Sequence, residues 1–250
     1  AANGQYQGVA PNATLYAYKA CGNGCPDESV IAAIEASIDP DGNPLTDDGA
    51  DIVNISLGGF GGIDSPLSVA VNEAAQTGVL FVISAGNNGE SGYQSIDSPG
   101  NAKLALTVGS TEKDGQLSVF SSLGPILSEE YQKPEIVAPG GKILSLAPDQ
   151  GVAIHSGTSM AAPHVAGVAA LVKQAKPNLD GQAIKSILTG TIDPLDNTFI
   201  KAGSGIVNAL NAVSAPLVAS KSHVMLGRID RGQNVWEASQ SFILTNISSS

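Results

Sequence analysis

Ser156-Gly157-Thr158-Ser159-Met160-Ala161-Ala162-Pro163-His164-Val165-Ala166-Gly167 places a hydroxyl where a glycine turn runs into a helix. Gly157 can take backbone angles closed to other residues, which permits a sharp entry. The spacing predicts Ser159 at the helix start, where free N–H groups and the positive end of the dipole favour developing negative charge. Beyond it, Ala161, Ala162, Val165, Ala166, Val168, Ala169, Leu171 and Val172 leave the helix apolar on nearly every face, as burial requires. A Ser or Thr at such a point is also an ordinary cap. The pair Thr158-Ser159 alone therefore carries little; the longer string carries more.

Six other segments lie ahead of it in order. They are Gly8-Val9-Ala10-Pro11-Asn12-Ala13-Thr14-Leu15-Tyr16-Ala17-Tyr18-Lys19, Ala50-Asp51-Ile52-Val53-Asn54-Ile55-Ser56-Leu57-Gly58-Gly59, Val79-Leu80-Phe81-Val82-Ile83-Ser84-Ala85-Gly86-Asn87-Asn88-Gly89, Ser98-Pro99-Gly100-Asn101-Ala102, Phe120-Ser121-Ser122 and Ile136-Val137-Ala138-Pro139-Gly140. With the serine string they resemble the subtilisin-like serine proteases (subtilases) from about Gly8 to about Ala215. The resemblance implies a serine endopeptidase that acts on polypeptides through an acyl-enzyme on Ser159, with no cofactor required for the chemistry. It implies that the Asn87 amide and the Ser159 backbone N–H donate to the oxyanion. Ser56, Leu57 and Gly58 would bond an extended substrate by strand addition. Ser84, Ala85 and Gly86 would line the primary specificity pocket, where small residues leave room for a sizeable side chain. Read without the resemblance, Gly86-Asn87-Asn88-Gly89 is turn composition.

The serine needs a histidine to take its proton and an aspartate to hold that histidine. The family carries the aspartate motif first, His-Gly-Thr-His second and the serine last. Neither earlier motif occurs in the 250 residues, and Ala1-Ala2-Asn3-Gly4 resembles the residues just after the histidine motif. Residue 1 is thus expected to be a truncation point, with the missing N-terminal segment of the same protein as a partner. The chain alone is expected to be inactive. The family's aspartate strand lies between those matching Leu15–Lys19 and Ile52–Leu57, so without it the chain alone should be poorly stable or misassembled. The three histidines offer no replacement. His164 lies about 140° round the helix from Ser159, His155 ends a strand at Val152–His155 without the geometry a base needs, and His223 reads as a surface residue. Two alternatives stand beside the endopeptidase: a non-catalytic homologue that binds extended peptides, and an unrelated α/β module whose helix start holds an anion.

A net charge of −11, with 42% hydrophobic and 14% charged residues, argues for a well-filled core and against nucleic-acid partners. No apolar run is long enough to span a bilayer. The acidity suits an exported protein, extracellular or in the cell envelope. Cys21 and Cys25, separated by Gly22-Asn23-Gly24, read as a disulfide or two free thiols rather than a metal site. Asp39-Pro40-Asp41-Gly42-Asn43-Pro44-Leu45-Thr46-Asp47-Asp48 collects the hard oxygens that calcium prefers, and subtilases often bind calcium. The same residues are ordinary turn material, and no metal ligand is assigned.

The pattern predicts a strand at Leu15–Lys19, then a helix capped by Asp27 and running to about Ile38 with Val30, Ile31, Ile34 and Ile38 on one face. Further strands are expected at Ile52–Leu57, Val79–Ser84 and Leu104–Gly109. Ser65-Pro66 opens a helix that Gly78 ends, Asp180 and Gly190 bracket another, and Gly205–Ser214 holds the last. The fold class is α/β: a doubly wound parallel sheet of subtilisin-like type, incomplete at its N-terminal side, with the start of an appended β-sandwich. Residues 1–216 form the partial catalytic domain. Residues 217–250, with Arg228, Arg231, Trp236 and the strand-type run Ser241–Asn246, read as a linker and the first strands of a truncated β-rich domain, or else as an extension packed on the catalytic domain.

Overall fold

The computed structural model describes residues 6–43, 45–46, 48–126, 131–148, 151–196, 199–226 and 237–248. The readings made at Ala1–Gly4, Pro44, Asp47, Arg228, Arg231, Trp236 and the last two serines lie outside the described residues.

The chain opens its regular structure with α1 (Asp27–Ile38), β1 (Ile52–Ile55), α2 (Pro66–Ala75), β2 (Leu80–Ser84), β3 (Leu106–Thr111) and β4 (Ile136–Pro139). A hairpin of β5 (Ile143–Leu146) and β6 (Val152–His155) leads into α3 (Thr158–Ala175), then α4 (Gly181–Gly190), α5 (Phe199–Ala202), α6 (Ala209–Val213), β7 (Leu217–Ala219) and β8 (Leu244–Asn246). Strands β1, β2, β3 and β4 pair in that order, all parallel.

Both faces of this sheet are covered, as its unbroken apolar runs predict. Every residue of β2 is buried, and successive side chains serve opposite layers. Leu80 and Val82 join Leu106, Val108, Ile136 and Ala138 beneath α3, α4 and α6. Phe81 and Ile83 join Val30 and Ile34 of α1 and Leu67, Val71, Ala74 and Ala75 of α2. The fold is therefore doubly wound. Helix α3 packs against all four strands. Its Gly167 is a close approach: a methyl group there would lie 2.7 Å from Val9 Cβ, so the segment around Val9 leans on the helix.

Local signals explain the helix starts. The Ser65 side chain caps α2 at the Ser68 N–H, with Pro66 in the first turn. The Asp180 carboxylate caps α4 at the Ala183 N–H, 2.8 Å away. The expected Asp27 cap is not formed. Pro26 occupies that position, and Asp27 sits inside the first turn with Glu28, where negative charge complements the helix dipole without a cap bond.

Two other expectations are corrected. Leu15–Lys19 is not a strand, and Leu15 and Tyr16 are 89% and 70% exposed. A strand needs a ladder partner, and among the described residues none lies beside this segment or on the outer edge of β1. The final helix is shorter than Gly205–Ser214 because its first residues are spent on the sheet edge. Ile206 exchanges backbone bonds with Asp193, and the Val207 N–H bonds the Val137 carbonyl.

At the opposite end of the sheet from the serine helix start, three charges are buried together. Lys133 Nζ lies 2.9 Å from Glu135 Oε2, and Lys185 Nζ lies 2.5 Å from Glu135 Oε1. Both ammonium groups also donate to the Ala105 carbonyl, and Glu135 Oε2 accepts the Thr107 N–H. Burial pushes Lys133 down to about 7 against the opposing pull of Glu135. Burial alone would raise the Glu135 carboxyl, but the two lysines outweigh it and hold it below the usual range. A depressed carboxylate pKa contributes stability that is present above the unfolded value and lost as pH falls through the folded one. Glu135→Gln should destabilise the chain by about 3–5 kcal/mol, because two lysines would stay buried without a counter-charge. Urea denaturation is the measurement, and the variant should also lose part of the wild-type loss of stability on acidification.

Candidate active site

In a parallel α/β sheet, ligands bind beyond the carboxyl ends of the strands. Here β1 runs on into Ser56-Leu57-Gly58 and β2 into Ala85-Gly86-Asn87, and the first turn of α3 meets both. Gly157 caps that helix at φ 159° and ψ 160°, a conformation essentially confined to glycine. Its N–H bonds the Gly140 carbonyl at 3.0 Å, so the end of β4 carries the turn.

The Asn87 amide has one orientation. Its Oδ1 accepts from the Thr158 backbone N–H at 2.9 Å and from Thr158 Oγ1 at 3.1 Å. A backbone N–H can only donate, so the oxygen of the amide must face Thr158. Asn87 is exposed as a residue, and its Nδ2 forms no hydrogen bond among the described residues. Thr158 Oγ1 in turn accepts from the Gly86 N–H at 3.2 Å. Ser122 holds the loop from behind, donating its N–H to the Gly86 carbonyl and accepting the Asn88 N–H at its Oγ, each at 3.0 Å.

Ser159 is the second residue of α3, so its N–H has no acceptor within the helix. Its Oγ donates to the Ser56 carbonyl at 3.2 Å, and Ser56 Oγ donates to the Ser159 carbonyl at 3.0 Å. Pro163 explains the second bond. A residue four positions on normally closes its N–H on the carbonyl, and proline has no N–H to give. Ser56 supplies the missing donor, oriented by Asn54 Nδ2 at 3.0 Å.

No histidine is hydrogen-bonded to Ser159 among the described residues. His164 Nδ1 lies 2.8 Å from the Met160 carbonyl, one turn back on its own helix. His155 is exposed at the end of β6, opposite Ile143. His223 is partly buried rather than on the surface, its Nδ1 is 3.1 Å from Ser222 Oγ, and burial lowers its pKa.

Of the expected pocket residues, Ser84, Ala85 and Gly86 are buried, Ser56 and Leu57 are half-buried, and Gly58 is exposed. The chain between Ile96 and Ser98 closes the space between the two strand ends. The Asp97 N–H bonds the Ala85 carbonyl at 3.0 Å, and Ser98 exchanges both backbone bonds with Gly59 at 2.9 Å. A hydroxyl network fixes this segment to α2: Ser98 Oγ lies 2.6 Å from Ser65 Oγ and 3.0 Å from Ser68 Oγ, and Ser68 Oγ donates to Asn101 Oδ1. The sequence reading missed Asp97. The segment it matched starts one position later, and the side chain's importance comes only from the two strands that flank it.

Elsewhere, Cys21 and Cys25 form a disulfide. Carboxylate oxygens of Asp39, Asp41 and Asp48 lie within 4.8 Å of one another. Asp41 Oδ1 accepts from the Asn43 N–H at 2.8 Å and from Thr46 Oγ1 at 3.0 Å, which draws the loop around that carboxylate. Among the described residues no helix is long and apolar enough to cross a membrane.

Comparison with known proteins agrees with this geometry. Residues 1–212 match the sequence profile of the subtilase family, peptidase S8. The chain is 40% identical over 222 residues to bacillopeptidase F of Bacillus subtilis (strain 168), covering 83% of this chain and 15% of that protein. It is 39% identical over 202 residues to alkaline elastase YaB of Bacillus sp. (strain YaB), covering 81% and 49%. The chain thus spans half or less of the length of these two relatives. Among solved structures, a protease from Pseudoalteromonas arctica PAMC 21717 superposes with a TM-score of 0.68 at 34% identity, covering 83% of this chain and 64% of that one. With a doubly wound sheet, a serine at the start of the helix that crosses it, and a matching profile over most of its length, the chain belongs to the subtilase family.

Proposed function

We propose that the protein to which this chain belongs is a serine endopeptidase, and that Ser159 is its nucleophile. The observation that carries this reading is the clamp between Asn87 Oδ1 and Thr158, which leaves the Asn87 Nδ2 donor unengaged at the first turn of α3, where the Ser159 N–H has no acceptor within the helix. Ser159 Oγ attacks the peptide carbonyl as a histidine takes its proton. The carbonyl oxygen gains negative charge and is met by Asn87 Nδ2 and the Ser159 N–H, at the positive end of α3. Collapse of the tetrahedral intermediate expels the amine, protonated by the same histidine, and leaves the acyl-enzyme that water hydrolyses. On this reading that histidine and the aspartate that orients it belong to the upstream segment that the family's motif order implies. Ser56, Leu57 and Gly58 hold the substrate as an added strand.

On this reading the chain by itself is inactive. Its Ser159 hydroxyl donates to the Ser56 carbonyl, an acceptor that cannot take the proton away. A fluorophosphonate probe should label the protein carrying the upstream segment and leave the chain alone and Ser159→Ala unlabelled. In the protein carrying that segment, Asn87→Leu should lower kcat by about 10²–10³ with little change in KM. Absence of labelling in it would overturn the endopeptidase reading in favour of a peptide-binding homologue.

Three further readings belong with this one. Residues 1–216 act as the catalytic part and residues 217–250 begin a β-rich one, a division supported by β7 and β8 pairing with each other and not with the main sheet, while Val218 and Ile247 rest against the main core. The disulfide and the net charge of −11 support an exported protein, extracellular or in the cell envelope. The carboxylates of Asp39, Asp41 and Asp48 suit calcium, a hard cation that takes oxygen ligands. Calcium at about a hundredfold excess over its Kd should stabilise the chain by about 2.7 kcal/mol. Thermal melts with calcium, with chelator, and on Asp41→Asn should show the gain in the first case alone.

A further inference from the structure

A charge lies between the chain segments that leave β1 and β2. The small residues that flank it leave space, but the segment closing that space places the Asp97 carboxylate against both strand ends. A methyl group added to Gly86 would collide with Asp97 Oδ2, and one added to Gly58 would fall 3.1 Å from Asp97 Cβ. Gly86 adopts φ 106°, a conformation that favours glycine in its own right, and its missing side chain is what admits the carboxylate.

Asp97 is held in place. Its N–H bonds the Ala85 carbonyl, and its carbonyl accepts the Asn101 N–H, each at 3.0 Å. The neighbouring Ser98 is bonded to Gly59 on one side and to the α2 hydroxyls on the other. Asn88 Nδ2 donates to both carboxylate oxygens, at 2.9 and 3.1 Å, which aligns the group without neutralising it. Among the described residues no lysine or arginine forms an ion pair with it. Partial burial raises its pKa, with the Asn88 bond opposing, as befits a carboxylate taken partly out of water without a counter-charge. A half-desolvated anion with one neutral partner keeps lone pairs for a cation.

We infer that Asp97 is a specificity residue, and that the pocket beside Ser159 accepts a basic side chain, arginine or lysine, from the residue whose carbonyl is attacked. The inference rests on the endopeptidase reading for the identity of the pocket. A guanidinium fork matches a carboxylate with two parallel bonds, and a long aliphatic stem suits the glycines Gly86 and Gly58 that flank it. A chain with a neutral residue at this place would present the same space to any large apolar side chain. Here an apolar group would have to cover a carboxylate and leave it unpaired, which costs binding.

The test uses product-type peptides and the protein carrying the upstream segment, with Ser159→Ala to prevent turnover. Acetyl-Ala-Ala-Pro-Arg and acetyl-Ala-Ala-Pro-Leu are titrated into isotope-labelled protein and followed by NMR, which reports fold and binding together. The arginine peptide should bind at least about tenfold more tightly than the leucine peptide. Asp97→Asn should remove that difference by weakening the arginine peptide without weakening the leucine peptide, and Asp97→Glu should keep the preference for arginine. Retained leucine-peptide binding also shows that the variant is folded. Equal affinities in the wild type, or a preference that survives Asp97→Asn, would overturn the role of Asp97 and leave the cleft reading intact. If the folded protein binds neither peptide, the cleft reading fails and this inference falls with it.

Discussion

The burial of one helix across four parallel strands is the constraint from which the rest of the molecule follows. Helix α3 presents Ala161, Ala162, Val165, Val168, Ala169 and Val172 to the sheet, all essentially sealed from water. Small side chains let it lie close, and the close contact forces its first turn to the carboxyl ends of β1 and β2. Unsatisfied N–H groups of a helix start then face the loops those strands release. The Ser159 hydroxyl, the amide of Asn87 and the small residues Ala85 and Gly86 meet there because packing brings their parent elements together, not because they attract one another.

What could be read from the chain follows the same logic. Unbroken apolar runs gave β2 and β3, and Ser65-Pro66 and Asp180 gave helix starts, since the responsible physics acts within a few residues. Leu15–Lys19 has an equally strand-like composition, yet a strand exists only through its neighbours and among the described residues none lies beside this one. Gly205–Val207 reads as the opening of a helix, but its backbone bonds are taken up by Asp193 and Val137. At the site, Ser159 and Asn87 stand in recognisable strings. Asp97 does not, because nothing near it in sequence announces that Gly58 and Gly86 will leave room on either side. The joining of Lys133, Glu135 and Lys185 was illegible for the same reason: a lysine of α4 meets the other two only after the sheet and helix have packed.

The two carboxylates show how burial and partnership divide the work. Glu135 is sealed, and two ammonium groups and a backbone N–H surround its carboxylate. It behaves as internal structure. Asp97 is only half withdrawn from water, and a single neutral amide steadies it. The same chemical group is inert in one setting and available in the other, and the difference lies in how many donors the fold has already assigned.

Pro163 has a consequence for how the site comes into being. By withholding the donor that would close on the Ser159 carbonyl, it detaches that peptide group from the helix's own ladder and hands it to Ser56, more than a hundred positions earlier in the chain. A helix made from this segment in isolation could wind correctly and still leave its serine unplaced. The position of Ser159 is decided by docking against the residue that follows β1, so it emerges cooperatively with the sheet. A partly folded chain that already contains α3 would not yet hold a positioned serine.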